Sequence, residues 1–237
     1  MALSIELSTA KTNKYASRES GDTVEFVERP TGGFSAVLVD GQGSGAAAKS
    51  LSLQVTSQAV SLLKNGVRDG VVARAVHDSL FAFRGGRVSA TVDILSADLK
   101  TRQIVVTRNA GTPLVVVDET GVQTLQVESG AVGLFHFTRP TVLQFPMSAG
   151  LSVISMSDGI YGAGNRVRTG TFDVGAWLAD QDHHRSTADE LATLILNEAV
   201  ARDQGRPLDD MSVVVMSIRK HSEQTIVRRI DMRIPLP

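Results

Sequence analysis

Residues 36–48, AVLVDGQGSGAAA, hold the pattern from which the rest of the chain is interpreted. An apolar run ends on Asp40, and a glycine-rich turn follows it before a long helical pattern begins. A strand that ends in this way brings a carboxylate to the rim of a sheet, and glycines let other groups approach the backbone closely. The stretch therefore has two interpretations, a nucleotide cradle or a metal-binding aspartate.

The nucleotide interpretation rests on Gly41-x-Gly43-x-x-Ala46, which satisfies a relaxed dinucleotide fingerprint. That fingerprint also needs a second parallel strand after the helix, ending in an acidic residue about 20 positions on. Here the first helical pattern stops at Asn65-Gly66, and a second helix follows with no strand before Arg87. The order of elements therefore disfavours a nucleotide site.

Strand and helix patterns along the whole chain predict the fold class. The helical patterns are 46–63, a second helix with Val72, Val76, Leu80 and Phe83 on one face, 172–178, and one that begins at Ser186-Thr187. The strand patterns, most of them joined by tight turns, cover residues 4–9, 23–28, 34–39, 88–96, 103–108, 114–118, 122–128, 141–145, 151–156 and 211–218. Antiparallel hairpins with helices grouped before and after them predict an α+β layered fold.

The sequence contains no linker or internal repeat, so we predict a single domain over residues 1–237 with its core at about 15–219. In the tail, residues 220–237, apolar side chains alternate at Ile226, Ile230, Met232 and Ile234. This alternation predicts an additional edge strand.

Composition excludes several kinds of partner and chemistry. The chain has 24 Lys+Arg against 25 Asp+Glu, so no overall field favours nucleic acid or an anionic membrane. No apolar run approaches the roughly 20 residues of a membrane span, and no signal peptide pattern is present, so we expect a soluble cytoplasmic protein. The absence of cysteine excludes thiolate zinc sites and cysteine nucleophiles. Any metal must be held by oxygen or imidazole.

The metal interpretation requires further carboxylates at strand ends or adjoining turns. Four positions meet this requirement: Asp22, Asp40, Asp158 and the pair Asp209/Asp210. Each could alone be an ordinary turn or cap residue. Together, and with glycine following two of them, they favour an oxygen-lined site for Mg²⁺ or Mn²⁺.

Four motifs in order carry a resemblance to a known family: Val39-Asp40-Gly41-Gln42-Gly43-Ser44-Gly45, Asn109-Ala110-Gly111-Thr112-Pro113, Ser155-Met156-Ser157-Asp158-Gly159 and Asp209-Asp210-Met211-Ser212-Val213-Val214-Val215. Over residues 17–218 the chain resembles the metal-dependent type 2C (PPM) protein phosphatases, and within them the bacterial SpoIIE/RsbU/RsbX branch. The resemblance implies an αββα sandwich, in which two antiparallel sheets pack face to face with helices on the outer faces.

The resemblance also implies a dimetal site in which two Mn²⁺ or Mg²⁺ ions activate a water, while a third ion is left open. Asp40 would bridge the ions, and Asp158 and Asp209 would complete the shell of the first, so these three are the implied catalytic residues. The remaining implied ligands are the Gly41 carbonyl and Asp22 for the second ion, with Asp210 as the alternative to Asp209.

The chain departs from many eukaryotic relatives at two positions. Gln42 stands where they carry a histidine that could protonate the leaving group, and Arg18 is the candidate for a phosphate-clamping arginine. The aromatic residues Trp177, Phe135 and Phe137 are interpreted as packing residues rather than as a substrate platform.

The resemblance further implies a phosphoserine/phosphothreonine protein phosphatase. Because the chain is short, it is most like the stand-alone RsbX type. The substrates that this likeness implies are phosphorylated STAS-domain proteins of a stress-signalling (stressosome) complex. Two alternatives stay open. One is a non-catalytic, phosphatase-like module that binds phosphoproteins, and the other is a phosphatase of an anti-sigma-factor antagonist.

Overall fold

The computed structural model describes residues 2–127, 129–165, 170–181, 186–221 and 227–233. The strands in these ranges are β1 (Ala2–Thr12), β2 (Asp22–Glu28), β3 (Phe34–Gly41), β4 (Ala90–Asp98), β5 (Gln103–Asn109), β6 (Leu114–Asp118), β7 (Gly121–Leu125), β8 (Thr141–Pro146), β9 (Ser152–Met156) and β10 (Met211–His221). The helices are α1 (Gly45–Lys64), α2 (Asp69–Arg84), α3 (Asp158–Tyr161), α4 (Val174–Ala179) and α5 (Ala188–Arg202).

The strands form two five-stranded sheets in which every pairing is antiparallel. Sheet A has the order β1-β10-β9-β6-β7, and sheet B has the order β2-β3-β4-β5-β8. One apolar core lies between the two sheets, α1 and α2 cover the outer face of sheet B, and α3, α4 and α5 cover the outer face of sheet A. The predicted αββα sandwich is confirmed.

Strand β3 shows why a continuous apolar run forms a central strand in this fold. Ala36 and Leu38 point into the core between the sheets, whereas Val37 and Val39 pack against α1 and α2. Because neighbouring residues of a strand face opposite sides, a strand covered on both faces needs apolar residues at every position. The same requirement explains the apolar run of β10.

A predicted helix start is also observed, at α5. The Thr187 hydroxyl accepts a hydrogen bond from the Glu190 amide, and the Glu190 carboxylate accepts one from the Thr187 amide. This capping box satisfies two donors that a helix N-terminus otherwise leaves unpaired. In the described part of the chain, no helix has both the length and the apolar character to cross a membrane.

The tail differs from the prediction. Residues 227–233 form neither helix nor strand, and residues 226 and 234, at the ends of the predicted strand, lie outside the described residues. Within the described residues, β10 is paired with β1 on one side and β9 on the other, so the tail has no free position beside the strand that precedes it. The edge position is taken by the chain's first residues, whose strand is longer than the predicted 4–9.

Phe83 is a second difference. The helical pattern predicts that it faces inward with Leu80, but its side chain is 77% exposed. Helix α2 ends at the next residue, Arg84, so Phe83 lies on the last turn, past the buried stripe. Periodicity indicates which face a residue occupies, but it does not indicate where the surface under that face ends.

Candidate metal centre

Sheet B contributes two of the predicted carboxylates. Asp22 begins β2 and Asp40 lies next to the end of β3, and the two residues are directly opposite each other in the antiparallel register. The following residue, Gly41, lies so close to α1 that an added Cβ would be 2.3 Å from the Ala48 carbonyl oxygen. Glycine is therefore required at position 41, where the end of β3 packs directly against α1.

Sheet A contributes the other carboxylates from two neighbouring loops. Asp158 begins α3 two residues after β9, and Asp209 lies just before β10. The loops are held together by the Ser157 hydroxyl, which accepts a hydrogen bond from the Ser212 amide at 2.9 Å. A Cβ on Gly159 would lie 2.1 Å from the Asp210 carbonyl oxygen, so the two backbones are in direct contact.

Carboxylates from both sheets raise one another's pKa. Burial, followed by the charges of Asp22, Asp158, Asp209 and Asp210, raises the pKa of Asp40 to about 8. Burial and then the Asp209 charge also raise the pKa of Asp158. Like charges raise each other's pKa only at short range. The structure therefore brings all five predicted aspartates to one rim.

Asp22 has an unpaired oxygen in this cluster. Its side chain is buried, and its Oδ2 atom has no hydrogen-bond partner among the described residues. Burial raises the pKa of Asp22 to about 7, against the opposing effects of the Ser212 and Ser157 hydroxyls. A buried carboxylate oxygen without a partner is unfavourable unless the group is protonated or a cation satisfies it.

Asp209 and Asp210 differ in what their oxygens contact. Asp210 is buried, and its two oxygens accept hydrogen bonds from the Lys14 amide at 2.8 Å and the Gly21 amide at 2.7 Å. Asp209 is half-buried and uses one oxygen, Oδ1, to accept from the Asp210 amide at 3.0 Å. Asp210 thus fastens both ends of the loop between β1 and β2, while Asp209 keeps an oxygen available to a ligand.

The donor set suits a hard divalent cation, since it consists of carboxylate and carbonyl oxygens. Among the described residues, however, no three acidic or histidine side chains already stand at the distances of a coordination shell. The residues fit Mg²⁺ or Mn²⁺ by the chemistry of their oxygen donors.

Two lysines that no sequence pattern singles out lie behind Asp22. The Nζ atoms of Lys11 and Lys49 each donate a hydrogen bond to the Asp22 carbonyl oxygen at 3.0 Å. Burial and then Lys49 lower the pKa of Lys11, while Asp22 and Asp210 oppose that shift.

Arg18 and Gln42 have separate environments. Arg18 is exposed on the loop that Asp210 fastens, and it makes no ion pair within the described ranges. The Gln42 side-chain oxygen accepts a hydrogen bond from the Ser89 backbone amide at 2.9 Å, and the Gln42 backbone amide donates to the Ser89 carbonyl at 3.0 Å. Gln42 therefore joins the glycine turn to the start of β4.

Comparison with known proteins agrees with the architecture. The PP2C phosphatase domain and regulatory fragment of SpoIIE from Bacillus subtilis superposes with a TM-score of 0.79 and 22% identity, covering 93% of this chain and 65% of that chain. RsbX in complex with magnesium superposes with a TM-score of 0.67 and 16% identity, covering 90% and 95%. The fold is that of the PP2C-type phosphatase domains.

Sequence comparison narrows this class. The family model for Stage II sporulation protein E (SpoIIE) matches residues 30–219, and the chain therefore belongs to the SpoIIE family. Stage II sporulation protein E of Bacillus subtilis (strain 168) is 24% identical over 201 residues, which is 84% of this chain. The match spans 24% of the length of that relative.

Proposed function

We propose that the chain is a Mn²⁺- or Mg²⁺-dependent phosphatase that acts on phosphoserine and phosphothreonine in proteins. The observation that carries the proposal is the convergence of carboxylates from two sheets: Asp22 lies opposite Asp40, Asp210 binds the Gly21 amide, and the Asp210 carbonyl contacts Gly159. Burial and then the charges of these carboxylates raise the pKa of Asp40. Membership of the SpoIIE family and the likeness to the magnesium complex of RsbX support it.

In this proposal Asp40, which lies opposite Asp22 in sheet B, would be shared by two ions, as the family resemblance implies. Asp158 and Asp209 would hold one ion, while Asp22 and the Gly41 carbonyl would hold the other. Two such ions would lower the pKa of a water and offset charge on the phosphoryl oxygens. Whether a third ion binds depends on ligands outside this set.

Other side chains would act on the charge balance of the site. The Lys11 and Lys49 ammonium groups hold the Asp22 backbone and offset part of the negative charge of the cluster. Arg18 is the candidate contact for the substrate phosphate, since it is exposed on a loop fastened at both ends by Asp210. Gln42 carries no titratable proton, so a metal-bound water or the substrate environment would have to protonate the leaving alkoxide.

The test uses Asp40→Asn and a generic substrate, p-nitrophenyl phosphate, over a Mn²⁺ titration. Wild-type protein should release phosphate only with Mn²⁺ or Mg²⁺, and the variant should fold but lose this turnover. A variant that retains near-normal activity would rule out the assignment of Asp40. If wild-type protein binds phosphoproteins but releases no phosphate under any metal condition, the non-catalytic binding module is the better description.

The proposed substrates are phosphorylated STAS-domain proteins, as the likeness to the RsbX type implies. Purified protein with Mn²⁺ should release phosphate from phosphorylated STAS proteins encoded beside its gene. The stressosome and the anti-sigma-factor antagonist are distinguished by which of these STAS proteins is dephosphorylated faster. Release from neither would reject this substrate class while leaving the p-nitrophenyl phosphate result standing.

A further inference from the structure

One side of the molecule carries aromatic rings that the core does not use. The side chains of Phe83, Phe135 and Phe137 are 77%, 64% and 89% exposed, and Leu134 beside them is 38% exposed. We call these four residues the aromatic patch. The interpretation of Phe135 and Phe137 as packing residues is therefore wrong, whereas Trp177 does pack edge-on against Phe172. A Cβ on Gly86 would lie 3.1 Å from the Leu134 carbonyl oxygen, so the residues that follow Phe83 are in contact with the loop that carries the other three. Exposed apolar residues that lie together mark interaction sites, unlike apolar residues scattered singly.

The patch lies on a segment that the fold holds in place. The His136 ring contacts the rings of Phe81, on helix α2, and of Phe137, with centroid distances of 5.3 and 4.6 Å. At the residue before Leu134, the Gly133 amide donates a hydrogen bond to Nδ1 of the buried His77, also on α2, at 3.1 Å. These contacts pack the loop of residues 133–137 against the C-terminal half of α2, the helix that carries Phe83.

The patch is also close to the candidate metal centre. Ala90, the first residue of β4, pairs with Gly41 on one side and forms an isolated bridge with Val132 on the other. Adjacent strands lie about 5 Å apart, so Val132 is about 10 Å from Gly41. Leu134 is only two residues further along. The Asn109 side chain secures this loop by donating a hydrogen bond to the Gly130 carbonyl at 2.8 Å.

Positive charges flank the patch in the chain. Arg84 and Arg87 follow Phe83, and Arg139 follows Phe137, and all three arginines are exposed. The whole chain has a formal net charge of −1, so this concentration of arginine is a local feature. A second copy packed on the same surface would place arginine against arginine, which is unfavourable. A partner surface with carboxylates around an apolar centre is complementary.

We propose that the aromatic patch and its flanking arginines dock the phosphoprotein substrate. Apolar residues near the phosphorylated side chain would cover the phenylalanine rings, and acidic groups around them would pair with the arginines. This inference rests on the proposed phosphatase function and specifies how that site selects protein substrates. Aromatic and arginine side chains are the residues that most often dominate the energy of an interface.

The experiment compares two substrates on four proteins. The substrates are p-nitrophenyl phosphate, which is too small to reach the patch, and a phosphorylated STAS-domain protein. The proteins are wild type, Phe135→Ser/Phe137→Ser, Arg84→Glu/Arg87→Glu, and the control Leu194→Ser, which removes an exposed apolar side chain from α5 on the other face of the sandwich. Each protein is assayed for kcat/KM with Mn²⁺ and for its oligomeric state by sedimentation.

Both patch variants should lower kcat/KM on the phosphoprotein by about tenfold or more, the effect of losing one interface anchor. Their rates on p-nitrophenyl phosphate should stay within about twofold of wild type, as should both rates of Leu194→Ser. The arginine variant should also reduce the salt dependence of the phosphoprotein reaction, because fewer charge pairs remain to be screened.

Three results would overturn the docking proposal. The first is an unchanged rate on the phosphoprotein in both patch variants, with wild-type protein active on both substrates. The second is an equal loss on the two substrates, which would indicate damage to the catalytic centre. The third is a wild-type dimer that the patch variants convert to monomer, which would make the patch a self-association surface. If wild-type protein hydrolyses neither substrate, the proposed function fails, and the docking role fails with it.

Discussion

Asp93 and Arg108 lie directly opposite each other on β4 and β5 and form a two-point ion pair inside the sandwich. The Nε and Nη2 atoms of the fully buried Arg108 donate to the two Asp93 oxygens at 2.8 and 2.9 Å. The Ser155 hydroxyl of sheet A also donates to Asp93. Because Ser155 lies three residues before Asp158, the pair of sheet B is joined to the strand of sheet A that leads to the candidate metal centre.

The ion pair predicts a strong dependence of stability on both partners. Arg108→Met should lower the free energy of unfolding by about 3–5 kcal/mol, because Asp93 is then left buried without its counter-charge. The double variant Asp93→Leu/Arg108→Met should be more stable than Arg108→Met, since it removes the uncompensated charge as well. Urea denaturation of both variants measures the difference. A double variant that is less stable than the single one would contradict this account.

The raised pKa values of the rim predict how the metal-free protein responds to pH. Asp22 and Asp40 ionise from an ordinary pKa of 3.8 in the unfolded chain but from about 7 and about 8 in the folded protein. The folded state therefore holds more protons between these values, and stability that is complete below pH 3.8 is lost as the pH rises towards 8. In EDTA, the free energy of unfolding should fall by about 2 kcal/mol or more between pH 5 and pH 8.5.

The control for this pH dependence is Asp40→Asn, which cannot ionise. Its free energy of unfolding should exceed that of wild type at pH 8.5, and its slope between the two pH values should be smaller. Urea denaturation with EDTA throughout gives the free energy of unfolding of both proteins at both pH values. Wild-type stability that stays constant or rises over this range would show that the rim carboxylates are not mutually destabilising.

The rim was predictable from the sequence because its signals are local. Asp40 follows a run of apolar residues and precedes glycine, and Asp158 repeats the pattern, so each could be placed at a strand end without knowing the fold. The role of Asp210 was not predictable, because its partners Lys14 and Gly21 are 196 and 189 residues away in the chain. Phe83 was misplaced because its exposure depends on where a helix ends over a sheet.

The close contact at Gly159 predicts a steric requirement. Gly159→Ala would bring a Cβ to 2.1 Å from the Asp210 carbonyl oxygen, and this atom belongs to the backbone, which cannot move aside cheaply. The substitution should cost about 1–3 kcal/mol of stability and displace the loop that carries Asp209. Gly111→Ala is the matched control, because a Cβ there meets no atom within 4 Å. Thermal melts that show equal losses for the two variants would be inconsistent with the contact.

The different partners of Asp209 and Asp210 predict that substitution of one affects stability and substitution of the other affects metal binding. Asp210→Asn should lower the free energy of unfolding by about 1.5–3 kcal/mol, because the amide replaces a carboxylate oxygen that accepts from a buried backbone amide. Asp209→Asn should leave stability within about 0.5 kcal/mol, since its side chain is only half-buried, but it should weaken Mn²⁺ binding.

Isothermal titration with Mn²⁺ and urea denaturation in EDTA separate the two effects in the same preparations. Loss of Mn²⁺ affinity without loss of stability in Asp209→Asn would identify Asp209 as the ligand and Asp210 as the residue that holds the loop between β1 and β2. The reverse result would assign the metal to Asp210, whose oxygens would then have to leave the Lys14 and Gly21 amides for the ion. Because that exchange would free both ends of the loop, it should also make the loop more sensitive to proteolysis when Mn²⁺ is bound.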